Sequence, residues 1–484
     1  MSAALVAFTL YLAITVGVGL WASSRSKGDE EDYFLAGRSL SPVSMALSAV
    51  SSGRSAWLVV GASAAAWSLG LSAVWLFPGY IVAEAWMFTS LGPRLRRFSE
   101  STGAITVPEV LSRAGGTQRL PIRQVAGVIL CVFLVTYVSA QLGAGAKTLG
   151  GVFAIQGETW GLVLTAGIVL VYTVLGGYRA VVLTDVVQAG FMLCGMVVLP
   201  LLGLRVVGGM GELGGSLNAI DPTLLDWTRG GALAVVGGLA IGLGSLGNPH
   251  ILVRHMSLQD HASAKVAMAT GTFWNLVMAA GAFLMGLVGR ALHPTTETML
   301  GDGREYLYAT LAGELSGELL FGGFVGILLA TLFAAIMSTC DSQLLVLASS
   351  FVRDFRSKEA TAQASAEPPA TKAPQRSGIA TSRLAVLLAL VAAVAIGYGD
   401  VPLVNNMVLL AWAALGIAFG PAVLALLYVP RTSERGVLAG MLVGTAMVVV
   451  AWWFSARPQG RAITWELVPC FLVTFAVITS LRRR

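Results

Sequence analysis

Apolar residues in this chain run in long blocks separated by short polar intervals. Thirteen blocks approach the ~20 residues that a helix needs to cross a hydrocarbon layer: 3–23, 41–68, 71–92, 124–149, 158–176, 180–204, 231–253, 266–290, 318–352, 383–400, 404–428, 436–455 and 464–481. The pattern predicts an all-α integral membrane protein. Residues 45–60, MALSAVSSGRSAWLVV, interrupt the second block with a serine- and glycine-rich stretch, expected to break at Ser51–Gly53, that carries Arg54. Carbonyls freed by such a break are tolerated in a membrane only where protein buries them or a polar cavity receives them. Five segments later the run GLGSLGNPH, 242–250, interrupts the seventh block. Matching interruptions in two halves point to an inverted repeat with its binding site near the midplane. Two five-helix halves, 41–205 and 231–430, follow from this, with 1–40 as an extra N-terminal helix and cytoplasmic loop and 436–484 as two extra C-terminal helices.

Composition supports the membrane setting. Charged residues are 12% of the chain and apolar residues 56%, against about 25% charged in a soluble domain. The four cysteines, Cys131, Cys194, Cys340 and Cys470, lie inside apolar blocks without metal or redox spacing and read as packing residues. With the N-terminus outside and the C-terminus cytoplasmic, Lys and Arg divide 23 to 7 in favour of the inner segments, as the positive-inside rule requires. The net charge of +6 therefore reflects topology, and a nucleic-acid partner is not implied. The first block has no basic residue ahead of it and reads as a retained helix in a cell (inner) membrane. Residues 354–382, rich in Ala, Pro, Ser and charge, read as a flexible cytoplasmic linker. No Walker loop occurs, so ATP-driven transport has no support, and no nucleophile–base or metal constellation marks an enzyme.

Four motifs occur together: DYFLAGRSLSP (32–42), YTVLGGYRAVVLTDVVQ (172–188), GNPHILVRHM (247–256) and AAIMSTCDSQLLV (334–346). In this order they resemble the sodium:solute symporter family, most closely its sodium/proline symporters. The resemblance implies the LeuT-type inverted-repeat fold, about thirteen transmembrane helices, and sodium-driven import of a small organic solute such as proline or a related amino acid.

Ala335, Ser338 and Thr339 stand at i, i+3 and i+4, so one helix face presents a carbonyl and two hydroxyls. Such neutral oxygens suit a weakly held monovalent cation; the competing reading is that the hydroxyls bond back to their own helix. The resemblance adds the carbonyls of Ser51 and Arg54 to a sodium site here. It also implies a solute pocket at Ser55, Trp57 and Tyr137, with Ile241 and Ser245 where proline symporters carry aromatic residues, and it puts Asp185 on the cation's route.

The chain departs from the family pattern at Gly53, where an aspartate is expected, and at Arg54, where an apolar residue is expected. That exchange moves the local charge two units towards positive. A midplane arginine costs ~2.5–3.5 kcal/mol on insertion scales, so it should be paired or face a cavity, with Asp185 and Asp341 the candidate partners. Three readings of Arg54 compete: a structural ion pair, a built-in cation that makes transport sodium-independent, and a binder of substrate carboxylate. Glu84 inside the third block is left to snorkel or pair, and His250 reads as satisfied structure at a helix end. The alternatives to a sodium symporter are a sodium-independent porter or exchanger of an amino or carboxylic acid, and a ligand sensor without net transport.

Overall fold

The computed structural model describes residues 3–25, 30–114, 120–153, 158–175, 177–260, 263–299, 303–315, 322–355, 373–398, 404–459 and 464–482. All thirteen apolar blocks are helical over most of their described residues. The principal helices are α1 (Ala3–Ser23), α2 (Pro42–Ala56), α3 (Pro78–Trp86), α4 (Leu120–Phe153), α5 (Glu158–Leu175), α6 (Tyr178–Val207), α7 (Gly231–Ser245), α8 (Pro249–Met256), α9 (Ala264–Leu292), α10 (Gly323–Arg353), α11 (Ala373–Gly397), α12 (Val404–Tyr428), α13 (Glu434–Gln459) and α14 (Leu467–Ser480). Among the described residues there is no strand; one isolated bridge pairs Leu40 with Leu258. Among the described residues, eight helices are long and apolar enough to cross a membrane, or nine if the bent pair α7–α8 is one span. Of the expected linker, residues 356–372 lie outside the described ones, and 373–382 are already helical as the start of α11.

Local chemistry explains where the inner helices begin and bend. Ser41 caps α2, its Oγ accepting the Ser44 N–H at 3.1 Å, with Pro42 in the first turn. The α7–α8 pair bends by 49° at Leu246–Asn248. Asn248 Nδ2 there donates to the Gly244 carbonyl at 2.7 Å, and a Cβ at Gly247 would come within 2.4 Å of the Gly420 nitrogen in α12. Only glycine permits that backbone approach.

Helix α2 packs against α6, α8, α9 and α10. Helix α10 is buried along almost its whole length, whereas α1 and α13 turn many apolar side chains outward. That contrast is expected of central and lipid-facing helices, since lipid solvates exposed apolar surface without penalty.

Candidate solute and ion site

The break in α2 falls at Ser55, two residues beyond the expected Ser51–Gly53. Ser55 has φ 51° and ψ −176°, a region nearly reserved for glycine that costs about 1–3 kcal/mol in other residues. The Ala56 N–H freed there donates to Gln141 Oε1 of α4 at 2.8 Å, and the Trp57 N–H donates to Ser55 Oγ at 3.1 Å. A π-helical stretch, Trp57–Ala62, follows. Ser51 remains helical, its Oγ returning to the Leu47 carbonyl at 2.9 Å. The helix opens where a partner helix supplies an acceptor, not where the small residues are densest.

Helix α10 meets α2 beside the break. Thr339 Oγ1 lies 3.0 Å from both the Ala335 and the Ser52 carbonyls, and Ser338 Oγ lies 3.2 Å from the Ala335 carbonyl. One hydroxyl proton serves one carbonyl at a time, so this face holds more acceptor oxygens than donors. A donor set of carbonyls and hydroxyls without a carboxylate fits a monovalent cation. The bond across the two helices runs to Ser52, next to the expected Ser51.

Arg54 is 1% exposed. Its partner is neither Asp185 nor Asp341: Nη2 donates to Glu84 Oε1 of α3, and the guanidinium carbon sits 3.8 Å from the centre of the Tyr80 ring. The correction is geometric, since the side chain leaves α2 on the face opposite α10. Ser245 Oγ and Asn275 Nδ2 donate to the same carboxylate at 3.0 and 2.8 Å. A Cβ at Gly53 would lie 3.8 Å from Glu84 Oε1, so Glu84 brings a negative charge close to the position where the family pattern carries aspartate. Glu84 therefore balances the charge of Arg54 locally, and the pair is neutral.

Arg54 also lines a small cavity with Gly53, Trp57, Tyr80, Tyr137, Ile241, Val408, Leu409 and Trp412. Its volume is ≈ 10 Å³, roughly what one water occupies. Tyr137 OH donates to Ser55 Oγ at 3.4 Å. Ser55, Trp57, Tyr137 and Ile241 are thus brought together as expected; Ser245 reaches Glu84 instead of the cavity. Trp57 Nε1 donates to Asn405 Oδ1 at 3.0 Å, and on its other side opens a larger cavity of ≈ 540 Å³ lined by Gly61, Ser68, Arg304, Glu305, Asn405 and Trp465 among others.

Asp185 is fully buried and pairs with Arg254, Nη2 to Oδ2 at 2.8 Å. Arg254 Nε donates to Ser48 Oγ at 2.8 Å, Nη1 to the His250 carbonyl, and Nη2 also to Ser52 Oγ and Ser342 Oγ. Arg179 instead pairs with Asp32. Sequence reasoning had placed Arg254 among the inner loop charges; it is a buried centrepiece, signalled only by its position one helical turn after His250 in a segment already known to break. Asp341 stays on α10, its Oδ1 accepting from Ser342 Oγ at 3.3 Å. His250 is not satisfied: neither ring nitrogen has a hydrogen-bond partner among the described residues, and the ring lies edge-on to Tyr137 and Trp412 at 6.1 and 6.5 Å.

A broken α2 packs against α10, and a second broken pair, α7–α8, lies in the other half of the chain. The model of the sodium:solute symporter family matches residues 33–444. This chain belongs to the sodium:solute symporter family. Sodium/proline symporters of Staphylococcus aureus strains JH9 and NCTC 8325 are each 34% identical over 480 residues, 97% of this chain and 90% of theirs. A Na+-coupled sialic acid symporter, solved substrate-bound and outward-open, aligns with a TM-score of 0.77 at 17% identity over 99% of this chain and 97% of that one. MhsT in complex with L-phenylalanine aligns at 0.51 with 13% identity over 90% and 97%. These likenesses establish the LeuT-type fold, and family membership makes the chain a multi-pass membrane symporter, not an enzyme.

Proposed function

We propose that this symporter imports proline or a closely related amino acid, driven by sodium and working by alternating access, in a cell membrane with its N-terminus outside. The observation that carries this reading is the contact of the broken α2 with α10 beside the cavity of Trp57, Tyr137 and Ile241. Sodium would take the carbonyls of Ser51, Arg54 and Ala335 with the hydroxyls of Ser338 and Thr339. Bound there it holds α2 against α10, and by linkage an ion that favours the solute-binding state raises solute affinity. Ser55, made strained by the break, and Tyr137 position the solute, and Trp57 with Asn405 separates it from the larger cavity. The helices of residues 41–205 and 231–430 act as two inverted halves moving about this site. The names of the Staphylococcus relatives favour proline as the solute.

A second reading, sodium-independent transport, is favoured by Arg254, whose guanidinium already supplies a positive charge between α2, α6 and α10. Arg54, committed to Glu84, does not fill that role. Uptake of radiolabelled proline by reconstituted vesicles, under an inward sodium gradient and under an equal potassium gradient, separates the two. Uptake with sodium alone is expected. Equal uptake in both moves the reading to the resident arginine, and uptake in neither removes proline.

A further inference from the structure

The Arg54 guanidinium is held in place without being used up. It carries five N–H donors, and its one ion pair engages Nη2 with Glu84. Nε is buried with no hydrogen-bond partner among the described residues. Tyr80 covers one face of the guanidinium and so fixes the plane of the fork. Glu84 does not line the cavity and is anchored from behind by Ser245 and Asn275. The pair is therefore neutral overall, with Nε unspent on a side chain that lines the cavity. A purely structural pair gains nothing from a buried donor left without an acceptor, which costs about 1–3 kcal/mol. The remaining lining, Gly53, Trp57, Tyr80, Tyr137, Ile241, Val408, Leu409 and Trp412, is aromatic and aliphatic apart from the Tyr80 and Tyr137 hydroxyls and the Trp nitrogens.

We infer that Arg54 is the carboxylate-binding residue of the solute site and that it selects monocarboxylic solutes with a small apolar body. Glu84 stays paired on one edge of the guanidinium while the solute's carboxylate takes the edge that includes Nε, a geometry suited to bidentate binding. A dicarboxylate is disfavoured because the pair supplies no second positive charge. This rests on the reading of the cavity as the solute site, yet it concerns the solute's charged group and not its identity as proline.

The test measures binding to the full chain purified in detergent with saturating sodium, followed by tryptophan fluorescence, since Trp57 and Trp412 line the cavity. The probes are proline, alanine, leucine and propionate, each beside its amide. The wild type is expected to bind at least one carboxylate about 100-fold more tightly than its amide. In the double variant Arg54→Met with Glu84→Gln, which removes both buried charges together, that preference falls below about threefold while the amide affinity stays. Arg54→Lys, which keeps the charge and loses the fork, falls between. Helicity and a monodisperse elution profile establish that each variant is folded. A double variant that keeps the carboxylate preference overturns the inference, as does a wild type indifferent to the carboxylate or one that binds no probe. Carboxylate preference for alanine or propionate without proline binding supports Arg54 and overturns proline; sodium-driven proline uptake that ignores Arg54 does the reverse.

Discussion

Two arginines lie inside this bundle, each against one carboxylate, and they are built differently. Arg254 spends all three of its nitrogens: on Ser48, on the His250 carbonyl, and on Asp185, Ser52 and Ser342 together. These partners come from α2, α6, α8 and α10, so the side chain works as a joint between four elements. Arg54, which lines the cavity, spends one nitrogen on one carboxylate, lays a face on Tyr80 and leaves Nε without a hydrogen-bond partner among the described residues. Burial is the same, 0 and 1% exposed, so burial alone does not separate structural from ligand-binding charge. The count of donors still available does.

The largest effect expected from that contrast is on folding. Arg254→Met strands Asp185 as an unpaired buried charge, a loss of about 3–5 kcal/mol, and Arg254→Met with Asp185→Asn recovers most of it. Each carboxylate keeps two other donors, Ser245 and Asn275 for Glu84 and Ser48 and Ser52 for Asp185; Arg54→Met costs less because Arg254 also ties Ser342 and the His250 carbonyl. Thermal unfolding in detergent of the two single and two double variants measures the difference. Equal losses at the two sites would break the comparison.

Sodium comes next. Ser338→Ala and Thr339→Ala each remove a hydroxyl from the face where α10 meets α2, and the sodium concentration for half-maximal uptake should rise about tenfold, equivalent to ~1.4 kcal/mol. Unchanged sodium dependence in both would move the cation elsewhere, and the Asp185 region, where Arg254 sits, becomes the place to look. A smaller effect attends Trp57→Phe, which keeps a ring over the cavity and loses the bond to Asn405, worth about 1 kcal/mol. Half-saturation by solute should rise about fivefold with little change in thermal stability. If stability falls instead, Trp57 belongs with Arg254 as a packing element.

The helices were legible because a ~20-residue apolar block has one outcome in lipid, and every predicted block is helical over most of its described residues. The bend of the seventh segment was equally plain, since Asn248-Pro249 and Gly247 cannot continue a tightly packed helix. The pairings were not legible. Arg54 had two visible acidic candidates, and Glu84 won because the side chain's direction around α2, absent from any linear pattern, turns it to α3. Arg254 looked like an ordinary inner-loop cation because its helix, only Pro249–Met256, is too short for an apolar block to claim it. Gln141 and Tyr80 gave no signal at all: each matters through one contact between segments far apart in sequence.

A third arginine joint, at the ends of α4 and α10 and with both of its acids outside those spans, tests the comparison. Arg123 pairs with Glu109 and with Asp354, each at 3.2 Å, while Arg353 holds Glu109 at 2.9 Å and Thr106 Oγ1 donates to Asp354 at 3.0 Å. Burial, reinforced by the nearby Glu109 charge and only partly opposed by Arg123, raises the Asp354 carboxyl to about 7. Glu109 moves the other way: burial pushes it up, but Arg353, the Ile105 N–H and Arg123 outweigh that and lower it. A raised acid binds its proton more tightly folded than unfolded. Its contribution is therefore complete below the unfolded value near 4 and is lost as pH rises to about 7, at no more than ~1.4 kcal/mol per pH unit. Glu109 acts below its ordinary range and leaves that window clear. The difference in thermal stability between wild type and Asp354→Asn should thus change between pH 5 and 7 and be flat from pH 8 upwards. A flat difference throughout would mean that Asp354 is ionised in the fold across the whole range, making this joint as fully committed as the one around Arg254.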